Sequence, residues 1–376
     1  MSNVKRIAIF SVTYDPFIGG AEVAIKEVTA RLPEFEFDLF TAKLDSKLSP
    51  EEEIGNVKVY RVGNGSILDK WLYPWRASRL SLQKHKEKPY DLIHAVMATY
   101  AGLAALLFKK KSKIPYVLTL QSGDSDWFIR MRTWFWFWKY KQIYTKADSV
   151  TAISNWLELR ARRYGHKKDI TLIPNAVNVE QFSCSINFEE RESIRKSWGV
   201  NENDFVVITT SRLVYKNGID VLIGALEHLP SDVRLVIVGD GEEGSRFKVQ
   251  GSKYGNRVVF LGHVDHGELP KLLKSSDVFV RPSRTEGLGN SFLEAMTAEI
   301  PIIGTRVGGI VDFLKDKETG LFAEVDNPKS VAEKVILLKD NHDLRNQIIK
   351  NSKQLVSEKY SWERIAGQYK NIYQTI

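Results

Sequence analysis

Short apolar runs rich in β-branched residues alternate with longer segments of helical period through most of the chain, and no other feature limits its fold as tightly. In the first half the runs are "RIAIFSV", "FEFDLFT", "VKVYRV", "DLIHAV", "YVLTLQ", "SVTAIS" and "ITLIP". In the second half they are "FVVITTS", "RLVIVG", "RVVFLG", "VFVRPS", "IPIIGT" and "GLFAE". Strands that recur with helices between them form parallel sheets covered on both faces. The polar stretch "NAVNVEQFSCSINFEERESIRKSWGVNEND" shows no strand pattern and separates the two sets. The expected fold is therefore α/β: two doubly wound, Rossmann-like domains, residues 1–185 and 186–357, facing a central cleft that is the default ligand site. The closing segment, about 358–376, reads as an amphipathic helix packing back on the first domain.

With 376 residues, each half is long enough for a core of its own. The single cysteine, Cys184, rules out an intramolecular disulfide and fits a reducing, cytoplasmic setting. "RIAIFSV" runs straight into "TYDPFIGG", a strand entering a loop, with no cleavage-site pattern behind it. The longest apolar run, "AVMATYAGLAALLF" (95–108), has 14 residues, short of the roughly 20 that span a bilayer. A formal net charge of +8 favours anionic partners, either phosphorylated ligands, a membrane surface or nucleic acid.

Three glycine loops stand between a strand and a helix. "DPFIGGAEV" follows the first strand, and Gly19 and Gly20 allow close backbone approach to an anion at a helix start. "GDGEEG" (239–244) matches a dinucleotide fingerprint, but it sits after the second strand of its domain and lacks the acidic residue that should close the next strand. The third, "RTEGLGNSFLEAM" (284–296), opens a helix that Asn290 or Ser291 is placed to cap. Its free N–H groups suit a phosphate. A carboxylate cannot bind phosphate, since both only accept hydrogen bonds, but it can accept from hydroxyls. Glu286 and Glu294, one on each side, thus fit a sugar and a ribose, and the ligand implied is a sugar nucleotide. The plainer alternative makes Glu294 a first-turn helix charge and Glu286 a solvated loop residue. Arg212 and Lys216 of "SRLVYKNG" follow the first strand of the second domain, as a forked and a point charge for a diphosphate, or as a surface ion pair.

In this order the chain resembles the retaining glycosyltransferases of family 4, which have the GT-B fold. The resemblance is carried by "YDPFIGGAE", "YDLIHA", "YVLTL", "ITLIPNAVNVEQF", "SRLVYKNGIDVLI", "LVIVGDGEE", "VVFLGHV", "LLKSSDVFVRPSRTEGLGNSFLEAM", "IPIIGTRVGGIVDFL" and "TGLFAEVDNP", spread over nearly the whole sequence. It implies that Glu286 reaches the donor sugar, Glu294 holds the ribose, and the amides after Gly289, at Asn290 and Ser291, approach the phosphates. It further implies that Arg212 and Lys216 stabilise the leaving diphosphate, that Gly19–Gly20 closes over it, and that Gly239 lies at the donor. Gln121 and His94 fall in the acceptor or sugar pocket, and no cofactor or obligatory metal is expected. Two departures stand out. Gln121 replaces the usual histidine and cannot take a proton, and Asn217 stands where the family lysine should, with Lys216 one residue earlier.

The resemblance implies transfer of a hexosyl-type unit from a nucleotide sugar, UDP-linked by family frequency, with retention and a front-face mechanism that needs no dedicated base. A nucleotide-sugar epimerase, a transferase for a soluble small acceptor, a glycosidase using the two carboxylates, and a metal-dependent transferase suggested by Asp124-Ser125-Asp126 are the competing readings. For the acceptor, "DWFIRMRTWFWFWKYKQIY" (126–144) sets Trp127, Trp134, Trp136 and Trp138 among basic residues. That pattern suits either a helix buried on its sheet or attachment to the cytoplasmic membrane face, with sugar added to a lipid-linked glycan or polysaccharide precursor. No nucleic-acid partner is expected.

Overall fold

The computed structural model describes residues 4–17, 19–66 and 68–376. The chain divides into two compact units, Met1–Asn175 with Trp362–Ile376, and Ala176–Ser361. In the first unit the strands are β1 (Arg6–Phe10), β2 (Glu36–Ala42), β3 (Glu51–Ile54), β4 (Val57–Val62), β5 (Leu92–Val96), β6 (Tyr116–Leu120), β7 (Ser149–Ala152) and β8 (Ile170–Leu172). Between them lie α1 (Gly20–Ala30), α2 (Asp69–Glu87), α3 (Tyr100–Ser112), α4 (Asp126–Thr133), α5 (Phe137–Thr145) and α6 (Asn155–Arg163). The sheet order is β3-β4-β2-β1-β5-β6-β7-β8, so the winding reverses between β1 and β5. β1, β5 and β6 are buried at every residue, which is why they read as unbroken apolar runs. β3 is the strand that apolar patterning passes over: "EEEI" lies exposed on the sheet edge, antiparallel to β4. Charge on an edge strand blocks further pairing.

The second unit begins with α7 (Val179–Phe182) and α8 (Phe188–Ser197). Its strands are β9 (Phe205–Thr210), β10 (Val233–Val238), β11 (Val258–Gly262), β12 (Val278–Val280), β13 (Ile302–Thr305) and β14 (Leu321–Ala323), all parallel. The helices that accompany them are α9 (Ile219–Ala225), α10 (Gly244–Ser252), α11 (Leu269–Lys274), α12 (Asn290–Thr297), α13 (Pro328–Asp340) and α14 (His342–Lys359). The order β11-β10-β9-β12-β13-β14 reverses its winding between β9 and β12. A core of Val207, Ile223, Leu235, Ile237, Phe247, Val280 and Val335 packs one face of this sheet. The strandless stretch after Asn175 packs within this unit. Arg195 of α8 is buried, and its guanidinium donates to the Ser275 carbonyl at 3.2 Å and to Asp277 at 3.3 Å. The division at Asn175/Ala176 therefore precedes the expected boundary.

α15 (Trp362–Thr375) returns to the first unit. Trp362, Ile365, Ala366, Tyr369 and Tyr373 form its buried stripe, at helical spacing. Lys5 Nζ donates to the Tyr373 carbonyl at 3.0 Å, and Arg31 pairs with Glu363 at 2.9 Å.

Candidate active site

Ligands of doubly wound sheets lie beyond the strands' C-terminal ends, where the order reverses. In the second unit this point is β9/β12, and two loops meet there. The loop after β9 carries Arg212 and tightens into a 3-10 turn at Tyr215–Asn217. Gly218 follows at φ +70°, and a Cβ on it would stand 2.0 Å from the Pro282 carbonyl oxygen of the loop after β12. Only glycine permits that approach. Arg284 fastens the two loops, its N–H donating to the Lys216 carbonyl at 2.7 Å and its guanidinium to both Asp220 oxygens at 2.9 Å.

Arg212 is exposed and makes no ion pair with any described residue. Its carbonyl accepts from the Asn217 side-chain amide at 2.7 Å. Asn217 is buried, so the position before the glycine is spent on holding the loop. The basic charge stands one residue earlier, at the half-buried Lys216.

Glu286 is held from three directions. Arg281 donates to its Oε2 at 2.5 Å, the Gly287 N–H donates to Oε1 at 3.0 Å, and the Gly309 N–H donates to its backbone carbonyl at 3.3 Å. A Cβ on Gly308, at φ +54°, would stand 1.8 Å from that same carbonyl oxygen, so the "RVGG" loop buttresses Glu286 from behind. Arg281 is buried against the Phe292 ring, 4.8 Å from its centroid, and also donates to Ser291 Oγ at 2.7 Å. One guanidinium thereby ties the loop carboxylate to the first turn of α12. Sequence reading passed over Arg281 as part of the strand "VFVRPS"; a charge inside an apolar run was the available signal.

The expected cap on α12 is corrected. Gly289, at φ +101°, is the N-cap residue and has no side chain to cap with, while Asn290 and Ser291 already lie in the first turn, where Ser291 Oγ accepts from Arg281. Glu294 lies past the first turn, which removes its reading as a first-turn charge. Its Oε1 is 3.0 Å from Nε2 of His266, whose ring packs edge-on to Phe182. His266, in "GHVDHGEL", carried no sequence signal. Gly239, at φ +124°, has its own packing reason: a Cβ there would stand 2.0 Å from the Ser211 carbonyl oxygen. Thr209 Oγ1, Thr210 Oγ1, Arg281 Nε and Ser283 Oγ, at the ends of β9 and β12, are buried with no hydrogen-bond partner.

In the first unit, Gly19 is the N-cap of α1 in extended conformation. A Cβ on it would stand 2.8 Å from Glu22 Oε2. Glu22 is buried and accepts from the Thr13 hydroxyl, so a carboxylate already answers the positive end of α1. Sequence reading did not single out Glu22. Gln121 Oε1 accepts from Asn175 Nδ2 at 3.3 Å, and the same amide lies 3.5 Å from the Gly20 carbonyl, which gathers these residues at one sheet edge.

His94 does not open to a surface pocket. It is buried, with Nε2 bonded to Thr119 Oγ1 at 2.7 Å and Nδ1 to the Tyr373 hydroxyl at 2.8 Å. Gln121, His94, Tyr369 and Tyr373 border one small internal cavity of about 20 Å³. Burial lowers the His94 pKa to about 3. Asp126 of the "DSD" triplet is occupied by Arg160 at 2.9 Å and Arg163 at 2.6 Å.

Two Rossmann-like units in one chain, each with a mainly parallel sheet that reverses its winding, make up the GT-B fold. Residues 190–355 match the family described as glycosyl transferases group 1, and residues 18–181 match glycosyltransferase family 4. An uncharacterized glycosyltransferase of Methanocaldococcus jannaschii is 29% identical, over 98% of this chain and 97% of its own. The alpha-monoglucosyldiacylglycerol synthase of Acholeplasma laidlawii is 25% identical, over 98% and 96%. The structure of Anabaena HepE in complex with UDP-glucose superposes with a TM-score of 0.83 at 20% identity, over 99% of this chain and 100% of that one. The chain belongs to the glycosyltransferases of family 4.

Proposed function

We propose that this enzyme transfers a sugar from a UDP-sugar, with retention at the anomeric carbon, to a hydroxyl of a lipid-linked glycan or polysaccharide precursor. The observation that carries the reading is the gathering of Arg212, Lys216, Glu286 and the uncapped start of α12 where the second sheet reverses its winding. Glu286, fixed by Arg281, accepts hydrogen bonds from the donor sugar, and Glu294 accepts them from the ribose. Arg212, Lys216 and the amides of Asn290 and Ser291 take the charge that grows on the diphosphate as the sugar–oxygen bond breaks. Charge placed in advance where it develops lowers that barrier. On the same face, the leaving phosphate oxygen takes the acceptor's proton as the new glycosidic bond forms. Gly19 and Gly20 are assigned to the diphosphate by the family resemblance alone. No residue is assigned to a metal.

UDP is favoured because HepE was solved with UDP-glucose, and a lipid acceptor because the Acholeplasma relative is named for one. Arg212→Ala tests the reading. Losing one such contact costs roughly 10²–10³-fold in kcat, with melting temperature unchanged because Arg212 is exposed. Near-normal turnover in the folded variant would sink it.

A further inference from the structure

We infer that the first unit docks on an anionic bilayer through one aromatic surface built from two separate segments. One segment is α4, the 3-10 turn Trp134–Trp136, and α5. Its inner face, Ile129, Thr133, Tyr140, Ile143 and Tyr144, is buried. Its outer face leaves Trp127 68%, Trp134 77%, Phe135 66% and Trp138 75% exposed, so the helices pack on the unit and still present a second aromatic face to solvent. The other segment is the start of α2, where Leu68, Trp71, Leu72 and Trp75 are exposed while Tyr73, Pro74 and Ala77 are buried.

Tyr100, the first residue of α3, joins the two. The Trp71 ring lies edge-on to it at 5.6 Å, and the Arg132 guanidinium stands over its ring, 5.2 Å from the centroid. α2, α3 and α4 start after β4, β5 and β6, so the surface belongs to the C-terminal edge of the sheet, the edge that also carries Gly20 and Gln121.

The charges select the occupant. Lys70, Arg79, Arg130, Lys139 and Lys141 are exposed among these aromatics. In these two segments the acids are Asp126, paired with Arg160 and Arg163, and Asp69, which is buried and accepts from the N–H groups of Asn64, Gly65 and Ser66. A second copy docked face to face would set like charges against each other. An anionic headgroup layer receives the cations while the indole rings settle at the interface. Large aromatic side chains left exposed together in this way mark an interaction surface.

Flotation of the purified chain tests this, with vesicles of phosphatidylcholine alone or mixed with phosphatidylglycerol, at low and high salt. The protein should float with the mixed vesicles at low salt and be released by high salt. The pair Trp71→Ala/Trp75→Ala and the pair Trp134→Ala/Trp138→Ala should each lower partitioning about tenfold. Melting temperature and calorimetric UDP affinity should stay unchanged in both, which separates a failed surface from a failed donor site. No flotation at low salt, or binding indifferent to the α2 pair, would overturn the two-segment surface. A concentration-dependent dimer broken by Trp134→Ala, without vesicle binding, would replace the bilayer with a second copy.

Discussion

Arg281 shows how a single side chain can set the geometry of a site without facing solvent. Its guanidinium reaches both Glu286 and Ser291, a bridge that a lysine's point charge cannot reproduce. Glu286 and Glu294 were readable from the sequence because their spacing around two glycines is a chemical pattern. Of their partners, Arg281 lies only five residues before Glu286, whereas His266 comes from another segment and only the fold brings it to Glu294. His94 teaches the converse. The family resemblance put it in the acceptor or sugar pocket, yet both ring nitrogens are used inside the first unit. Its pKa of about 3 in the folded chain lies below the ordinary 6.5, so the unfolded chain binds the extra proton. Stability from this residue is therefore complete above pH 6.5 and falls as pH drops toward 3. By pH 5 the loss is about 2 kcal/mol. Chemical denaturation of the wild type and of His94→Gln at pH 7 and pH 5 should show a smaller pH dependence in the variant. Equal slopes would contradict the assignment.

At the scale of elements, strands buried on both faces were legible because continuous apolar sequence has few other uses. β3 was not legible, since three glutamates satisfy an exposed edge through backbone pairing alone. The return of α15 was legible from its stripe of large residues. The loops were only half legible: glycines marked where the backbone bends, but not what it bends around. Gly308 is the clearest case, since its role depends on a carbonyl more than one element away. Gly308→Ala puts a methyl group where the Glu286 carbonyl stands and strains a left-handed position, worth roughly 1–2 kcal/mol before any clash. It should lower transfer about tenfold or more while the far-UV spectrum stays that of the wild type. Unaltered transfer would mean that the "RVGG" loop does not position Glu286.

For the whole molecule, each unit places its chemically rich loops at the C-terminal edge of a parallel sheet, as doubly wound topology requires. The second unit offers cations, helix amides and two carboxylates; the first offers Gln121, Asn175 and an aromatic, basic surface. Among the described residues no helix is long and apolar enough to cross a membrane. The class of enzyme was legible in the sequence because its motifs recur in order along most of the chain. Of the exposed aromatic surface, the stretch 126–144 was legible but its companion at the start of α2 was not, because α2 and α4 are far apart until the sheet aligns them. The central claim is retaining transfer from a nucleotide sugar. Its most direct test is proton NMR of the reaction between the purified enzyme, a set of UDP- and GDP-sugars, and lipid-linked or soluble glycan acceptors. The account predicts release of nucleoside diphosphate matched by a new glycoside with the anomeric configuration of the donor. A product of inverted configuration, or an isomerised sugar nucleotide formed with no acceptor present, would contradict it.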